Sequence, residues 1–223
     1  QTSRGRSSMS NTAMMMGLGA SPGTPVPDAI GAEYGGGYYA GTLIVDASTS
    51  YYLIVAPKSS GQNTSKQFKT SNSSSSYSES QFDGAANTAG CINAGASLHP
   101  AADFCDTLSI GGYNDWYLPS RYESDILFYN LKPGTYSNNT SMGINPYSDP
   151  ARTSNYTSSV PGQTSASIFQ LGGSEAFGDN YDVYNTSTAT NTASYKIYLN
   201  IGQLYSASMT DAVFTRAIRR VLI

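Results

Sequence analysis

Gly111-Gly112-Tyr113-Asn114-Asp115-Trp116-Tyr117-Leu118-Pro119-Ser120-Arg121-Tyr122-Glu123 is the stretch whose reading decides the fold. Two adjacent glycines allow a tight backbone bend, and Trp116, the only tryptophan of the chain, supplies a large apolar anchor. Leu118-Pro119 ends a strand-like run that begins at Ile110. Ser120 then opens a helix as N-cap, and Glu123 three residues later completes a capping box. Arg121 and Glu123 are placed to tie the first turn of that helix to neighbouring segments. Ile126, Leu127, Tyr129 and Leu131 carry it to a stop at Lys132-Pro133-Gly134.

Toward the N-terminus, Pro100 marks the first position of a helix running to about Leu108, with Ala101, Phe104, Cys105 and Leu108 on one face. Asp83 is an N-cap for another helix ending near Ala94. Residues 59–81 are Ser-rich and read as a polar surface loop. Before them, Tyr38 to Val45 and Tyr51 to Pro57 are β-rich runs joined by a polar turn at Asp46 to Ser50, which predicts a hairpin. Residues 1–33 show no period of 2 or 3.6 and read as an extended arm, with Met14, Met15 and Met16 either filling an interface with neighbouring subunits or folding back on their own domain. On the C-terminal side, roughly 30 residues of Asn, Ser, Tyr, Thr, Gly and Pro with almost no charge follow Gly134. The last 50 or so return to short Tyr-containing strands closing on Arg216-Ala217-Ile218-Arg219-Arg220-Val221, and the first and last strands are predicted to pair. The pattern is α+β, with residues 34–223 as one domain.

Composition narrows the function. Of 223 residues only 12% are charged, the net charge is −3, and 39% are apolar with 18 Tyr and 7 Phe. The apolar fraction argues for a folded core rather than disorder, and Ser, Thr and Asn dominate the remainder. A slightly acidic chain has no electrostatic footprint for nucleic acid, and no apolar run reaches the length that spans a bilayer. The chain opens at Gln1 with neither a charged n-region nor an apolar h-region, so a secretory signal is either absent or already removed. Cys91 and Cys105, 14 residues apart, form either a disulfide or a pair of buried thiols. Together with one His they are too few for an all-protein zinc site. His99, just before a helix start, reads as structural or capping rather than catalytic.

The opening block resembles the G-G-[YF]-x-D-W-x-L-P-[ST]-R-x-E signature of the family called DUF1566 or Lcl C-terminal domain, a variant of the C-type lectin-like fold related at a distance to formylglycine-generating enzymes. Gly111, Gly112, Asp115, Trp116, Leu118, Pro119, Arg121 and Glu123 carry it. Further segments are similar to the form of this domain found in tailed-phage virion proteins. They include Gly36-Gly37-Tyr38-Tyr39-Ala40-Gly41, Ile54-Val55-Ala56-Pro57-Lys58, Asp83-Gly84-Ala85-Ala86-Asn87-Thr88, His99-Pro100-Ala101-Ala102, Asn130-Leu131-Lys132-Pro133, Phe169-Gln170-Leu171-Gly172-Gly173-Ser174-Glu175-Ala176-Phe177 and the terminal run with Arg216 and Arg219. The resemblance implies a C-type lectin-like domain of short strands and two to three helices, preceded by the arm. One departure stands out: where the family carries Y-x-W-S-S-T, this chain has Tyr181-Asp182-Val183-Tyr184-Asn185-Thr186, so that Tyr184 replaces a tryptophan and implies an altered or more exposed surface there.

In such folds the corresponding region forms the ligand face. The segment from Asn180 to Asp211 is rich in Tyr, Asn, Ser and Thr, as binding loops are, and Tyr184, Asn185, Tyr195, Tyr198, Asn200 and Tyr205 are the expected ligand-binding residues. The alternative is that these tyrosines sit on half-buried strands, where Tyr is a good strand former. No catalytic order is legible. The cysteines lie outside the region where the formylglycine-generating pair would fall, and the acid pairs Glu123/Asp125 and Asp179/Asp182 have the spacing of capping or solvated groups. The resemblance is compatible with calcium, with Asp103, Asp106 and Asp115 as carboxylates at hand, but no dense acidic loop assigns ligands, and no other cofactor is expected. The expected function is a non-enzymatic phage virion protein. It would be either a tail-fibre or tail-tip adhesin for a host-surface glycan or protein, or a structural component such as a capsid decoration. Its partners would be other copies of itself in a homotrimer and other virion proteins held through residues 1–33.

Overall fold

A computed structural model describes residues 25–178 and 182–223. The Met14 to Met16 run and most of the expected arm lie outside these residues, as do Asp179, Asn180 and Tyr181. The chain is α+β. A first antiparallel sheet, ordered β1-β2-β3-β9, comprises Glu33–Tyr34, Gly37–Asp46, Thr49–Val55 and Ile218–Leu222. A second, ordered β4-β8-β5-β6-β7, comprises Gln62–Gln67, Ala212–Arg216, Val183–Ala189, Ala193–Tyr198 and Gln203–Ser208. All its neighbours are antiparallel except β5 and β8, which run parallel. The four helices are a single turn α1 (Lys58–Gly61), α2 (Gly84–Gly95), α3 (Pro100–Asp106) and α4 (Arg121–Leu131).

The first sheet is buried on both faces because its central strands alternate between two cores. Leu53 and Val55 of β3 and Ile218 of β9 pack with Ile126, Leu127, Phe128 and Leu131 of α4. Ile54 and Ala217 point the other way, to Trp116, Leu118 and the residues of α2 and α3. Ala217 alone separates β8 from β9, so the chain steps from one sheet to the other there. Its backbone is held by Gly61 O and by the amide of Ala56.

The predicted hairpin is β2–β3, with Asp46 opposite Thr49. Contrary to expectation, the last strand pairs not with the first but with β3, because the β2–β3 hairpin puts β3 at the open edge of the sheet. Asp83 caps α2 by accepting from the Ala86 amide at 2.9 Å, Pro100 opens α3, and Ser120 and Glu123 form the capping box of α4. Three further expectations need correction. Residues 59–81 are not a loop throughout: Gln62–Gln67 forms β4, whose polar side chains hide a strand because its partner β8 supplies the pairing, and Phe68 is buried. Ile110 to Leu118 is not a strand but a bridged turn, closed between Ile110 and Tyr113 and joined to β9 only at Tyr117 and Ile218. The domain also begins before Tyr34, since Ile30 packs on the first core and the Gly31 amide donates to Tyr39 O at 2.7 Å. Among the described residues no helix is long and apolar enough to cross a membrane.

Candidate ligand-binding site

The six residues expected to form one ligand face do not share a surface. Tyr184, Asn185 and Asn200 are buried. β5 lies between β8 and β6, and neighbours on both sides and both faces cover it. Tyr184 packs edge-on to Phe177 at 5.5 Å, and its hydroxyl accepts from the Gly178 amide at 2.9 Å. Burial pushes this phenol up to about 12. The Tyr-for-Trp departure is therefore absorbed in the core and leaves no exposed patch. Asn185 donates to Lys66 O at 2.7 Å and to Thr215 Oγ1 at 3.1 Å, which ties β5 to β4 and β8.

Tyr195, Tyr198 and Tyr205 are half-buried. Tyr195 and Tyr198 are three residues apart on β6 and so point to opposite faces. Tyr205 stands opposite Lys196, on the Tyr198 side, and the Tyr198 and Tyr205 rings stack at 5.3 Å. Tyr195 faces α4, where the Arg121 guanidinium lies 5.0 Å from its ring centroid.

The signature residues build the frame of the domain. Gly111 and Gly112 adopt φ of +61° and +83°, the left-handed region that favours glycine. An added Cβ on Gly111 would come within 2.6 Å of Gly36 Cα. Trp116 is buried in the second core, its Nε1 donating to Tyr113 O at 3.1 Å; Leu118 and Pro119 are buried beside it. Asp115 grips Arg219 through two bonds of 2.7 and 2.9 Å, and the guanidinium lies 3.8 Å from the Tyr113 centroid. Arg216 is buried against Glu175 at 2.7 Å and also donates to Ala56 O at 2.7 Å; burial draws it down to about 10.

Glu123 is fully buried. Its Oε2 accepts from the Ser120 amide at 2.8 Å and the Gly84 amide at 3.0 Å, and its Oε1 accepts from the Tyr117 hydroxyl at 2.7 Å. One carboxyl thus caps α4 and holds the start of α2. Burial raises it above its ordinary value, against the pull of these donors.

The disulfide alternative for Cys91 and Cys105 is corrected: both are free thiols, buried in the second core between α2 and α3. His99 is buried, accepts or donates to the Tyr77 hydroxyl at 2.8 Å, and precedes α3 without a side-chain cap bond. Glu123 and Asp125 do not work as a pair, because Asp125 instead faces Arg152, Tyr156 and Asn145. Among the described residues no three His, Cys, Asp or Glu side chains converge as metal ligands. Asp115 is committed to Arg219, and Asp106 lies exposed at the end of α3.

Of the hollows among the described residues, a wide one of about 440 Å³ lies over Glu33 to Tyr38 and Pro57, and two adjoining ones lie where α4, the long polar loop after Gly134 and the β6–β7 turn meet. A hollow of about 200 Å³ is lined by Arg121, Tyr122 and Asp125 from α4, by Met142 and Ile144 from the loop, and by Leu204 from β7. A second hollow of about 220 Å³ lies beside it, with Tyr129, Arg152, Thr153 and Val160 on its walls, and Asn155 belongs to both. None of the six residues expected to bind ligand lines either hollow; Tyr195 comes nearest, through its contact with Arg121, which was expected only as part of the structural motif. Tyr122, Asp125, Met142, Ile144 and Asn155 were not legible as site residues, and the polar, Tyr- and Asn-containing composition of the loop was the one signal that pointed at them. Compared with family models, with curated proteins and with solved structures, the chain matches none, so the site is read from its own geometry. Tyrosine rings, the Asn155 amide and the Arg121 guanidinium around an open hollow form a surface suited to binding.

Proposed function

We propose that this chain is a non-enzymatic virion protein of a tailed bacteriophage, a tail-fibre or tail-tip adhesin whose domain binds a host-surface glycan or protein. The observation that carries the reading is the pair of adjoining hollows beside α4. They bring Tyr122 and Tyr129 to their walls, with Arg121 and Arg152 lying over those rings, and place Asn155 as a neutral hydrogen-bonder between them, which are residue types that sugar recognition uses. The resemblance of the Gly111 to Glu123 block and of the terminal Arg216 to Val221 run to the C-type lectin-like domains of phage virion proteins supports the same reading. It differs from the expectation drawn on sequence in the location of the ligand surface, which moves from β5–β7 to the α4 hollows. Residues 1–33 would supply attachment to other virion proteins and to two further copies in a homotrimer.

The test is binding of the isolated full chain to host-surface glycans and to host cells, with Asn155→Ala and Tyr129→Ala as site variants. The reading expects binding that both variants weaken by about tenfold. A folded chain that binds neither cells nor glycans refutes it and leaves the structural virion component as the role. Sedimentation with the arm intact should return a trimer, and a monomer at micromolar concentration would count against the assembly.

A further inference from the structure

The electrostatics of the first hollow carries a step that rests on the adhesin reading and names the ligand. Five arginines fall within the described residues, and four of them face a carboxylate: Arg152 with Asp125, Arg216 with Glu175, Arg219 with Asp115 and Arg220 with Asp83. Arg121 faces none among the described residues. Its guanidinium is nevertheless held in place. Nη1 donates to Gln81 Oε1 at 3.0 Å, and the rings of Tyr122 and Tyr195 lie 4.9 and 5.0 Å from it. Nε is sealed from solvent with no acceptor. Nη2 makes no hydrogen bond with the described residues and is not sealed.

The other charge in the hollow is already neutralised. Asp125 is consumed by Arg152, by the Tyr156 hydroxyl and by Asn145 Nδ2 at 2.7 Å. What remains is one positive charge, clamped, partly desolvated and unanswered, in a chain that pairs every other described arginine. A fixed guanidinium whose Nη2 is left over is suited to an oxyanion, which it can meet with a charge-assisted hydrogen bond. Beside it, Ile144 and Leu204 offer apolar wall and Asn155 offers an amide, while the Tyr122 ring is engaged by the guanidinium itself.

We propose that this hollow takes an acidic saccharide, with the sugar carboxylate on Arg121, the ring carbons against Ile144 and Leu204, and a hydroxyl on Asn155. A volume of about 200 Å³ limits the buried part to a single sugar residue, with the chain continuing toward the Tyr129 hollow. A sugar phosphate carries the same kind of charge, but a single guanidinium balances one carboxylate, whereas a dianionic phosphate usually gathers several cations.

The experiment measures binding of the full chain to three sets of oligosaccharides: hexuronate-containing and sialylated glycans, the same glycans after carboxyl reduction, and phosphorylated glycans. Carboxyl reduction and Arg121→Gln should each weaken binding by about ten- to a hundredfold, the usual worth of a charge-assisted contact, and added salt should weaken it further. Arg121→Lys keeps the charge without the fork and should retain part of the affinity. Because Arg121 variants also lose ring contacts, Ile144→Glu is the second probe: Ile144 is 53% exposed, so folding is spared while a carboxylate at the rim repels the ligand. Equal binding of acidic and reduced glycans overturns the inference and leaves the adhesin reading intact. Binding of phosphorylated glycans alone overturns the carboxylate assignment. Binding of no glycan and no cell overturns both readings together.

Discussion

Replacing Glu123 by Ala should destabilise the domain by at least about 3 kcal/mol, more than any other single polar substitution in the signature block. The carboxyl is fully buried and is the acceptor for three donors, the amides of Ser120 and Gly84 and the hydroxyl of Tyr117. Each donor left unsatisfied inside the protein costs about 1–3 kcal/mol, so even the lower end of that range summed over three groups reaches about 3 kcal/mol. Set against the 5–15 kcal/mol that typically holds a domain together, this is a large fraction. Glu123→Gln is the informative control. Its amide oxygen can still accept from both backbone N–H groups, but its NH₂ meets the Tyr117 hydroxyl as a second donor and leaves that O–H without an acceptor, so the variant should lose about 1–3 kcal/mol at pH 7, less than alanine loses. The pair also differs with pH. Burial raises the Glu123 carboxyl above its ordinary value of 4.5, so the folded state holds that proton more tightly than the unfolded chain. Its contribution to stability is therefore greatest below about pH 4.5 and is lost as pH rises through the folded value. Glu123→Gln removes this dependence, and the stability difference between wild type and variant should shift in favour of the variant as pH rises across that window. The assay is urea unfolding followed by the fluorescence of Trp116, the single tryptophan and a core residue, repeated from pH 4 to pH 7. An alanine variant that loses less than about 1 kcal/mol, or a glutamine variant as damaged as the alanine, would show that the carboxyl is not the shared cap of α2 and α4.

Other consequences are smaller or more local. Gly84→Ala should cost about 1–3 kcal/mol, because its Cβ would come within 2.6 Å of Leu118 O and 2.7 Å of the Ser120 nitrogen, which are backbone atoms that cannot swing aside; a neutral thermal shift would contradict that packing. Cys91 and Cys105 should resist thiol reagents in the native state and react only on unfolding, since both are buried and burial pushes the Cys91 thiol up to about 12. Rapid labelling without loss of structure would refute their burial. Lys132→Met should loosen the loop after Gly134, because Tyr136 O, Asn138 Oδ1 and Pro161 O would lose their shared donor. Hydrogen exchange of the Asn138 side chain and of the Thr164 amide should quicken, while the amides of β3 stay as protected as in wild type.

Where the chain punctuates itself, the sequence was legible. Asp83, Pro100 and Ser120 each begin a helix within a residue of expectation, because caps are local chemistry that acts before packing. The signature block was legible as a frame, and Arg121 was legible as a residue of interest. The second sheet was not. β4 reads Gln-Asn-Thr-Ser-Lys-Gln, which no apolar alternation marks, and β5 reads Val-Tyr-Asn-Thr-Ser-Thr-Ala, which looks like a binding loop and is buried from Tyr184 to Ala189. Composition could not separate those two cases, because a buried polar strand and an exposed one use the same residues. What separates them is whether hydrogen-bond partners lie within reach, and these come from distant segments: Ser187 beside Asn87 Nδ2, Thr188 bonded to Ser80 O, Thr186 bonded to Tyr195 O. The hollow beside α4 was out of reach for a related reason, since its walls come from elements joined only in the folded chain.

The shortage of charge acquires a structural meaning in this light. Lys69, Lys132 and Lys196 are all buried, and each turns its ammonium toward main-chain oxygens. Lys69 meets Ser73 O and Ser74 O at 3.3 and 2.6 Å, Lys132 meets Tyr136 O and Pro161 O, and Lys196 meets Ser208 O and Asp211 O at 2.9 and 3.1 Å. A buried cation without such acceptors would be expensive; with them it gathers carbonyls that irregular loops cannot satisfy through regular pairing. Burial lowers the proton affinity of the Lys132 and Lys196 ammoniums, which is the cost of withdrawing them from water. These loops are thus organised by cations that belong to the chain itself, the part a bound metal plays in many loop-rich proteins. Lysines used in this way leave the outer surface, and so do the arginines paired inside the fold. A hollow that keeps one guanidinium without a carboxylate partner among the described residues then stands out in a chain of which only 12% is charged, which is why the proposed ligand is defined by the sign of its charge.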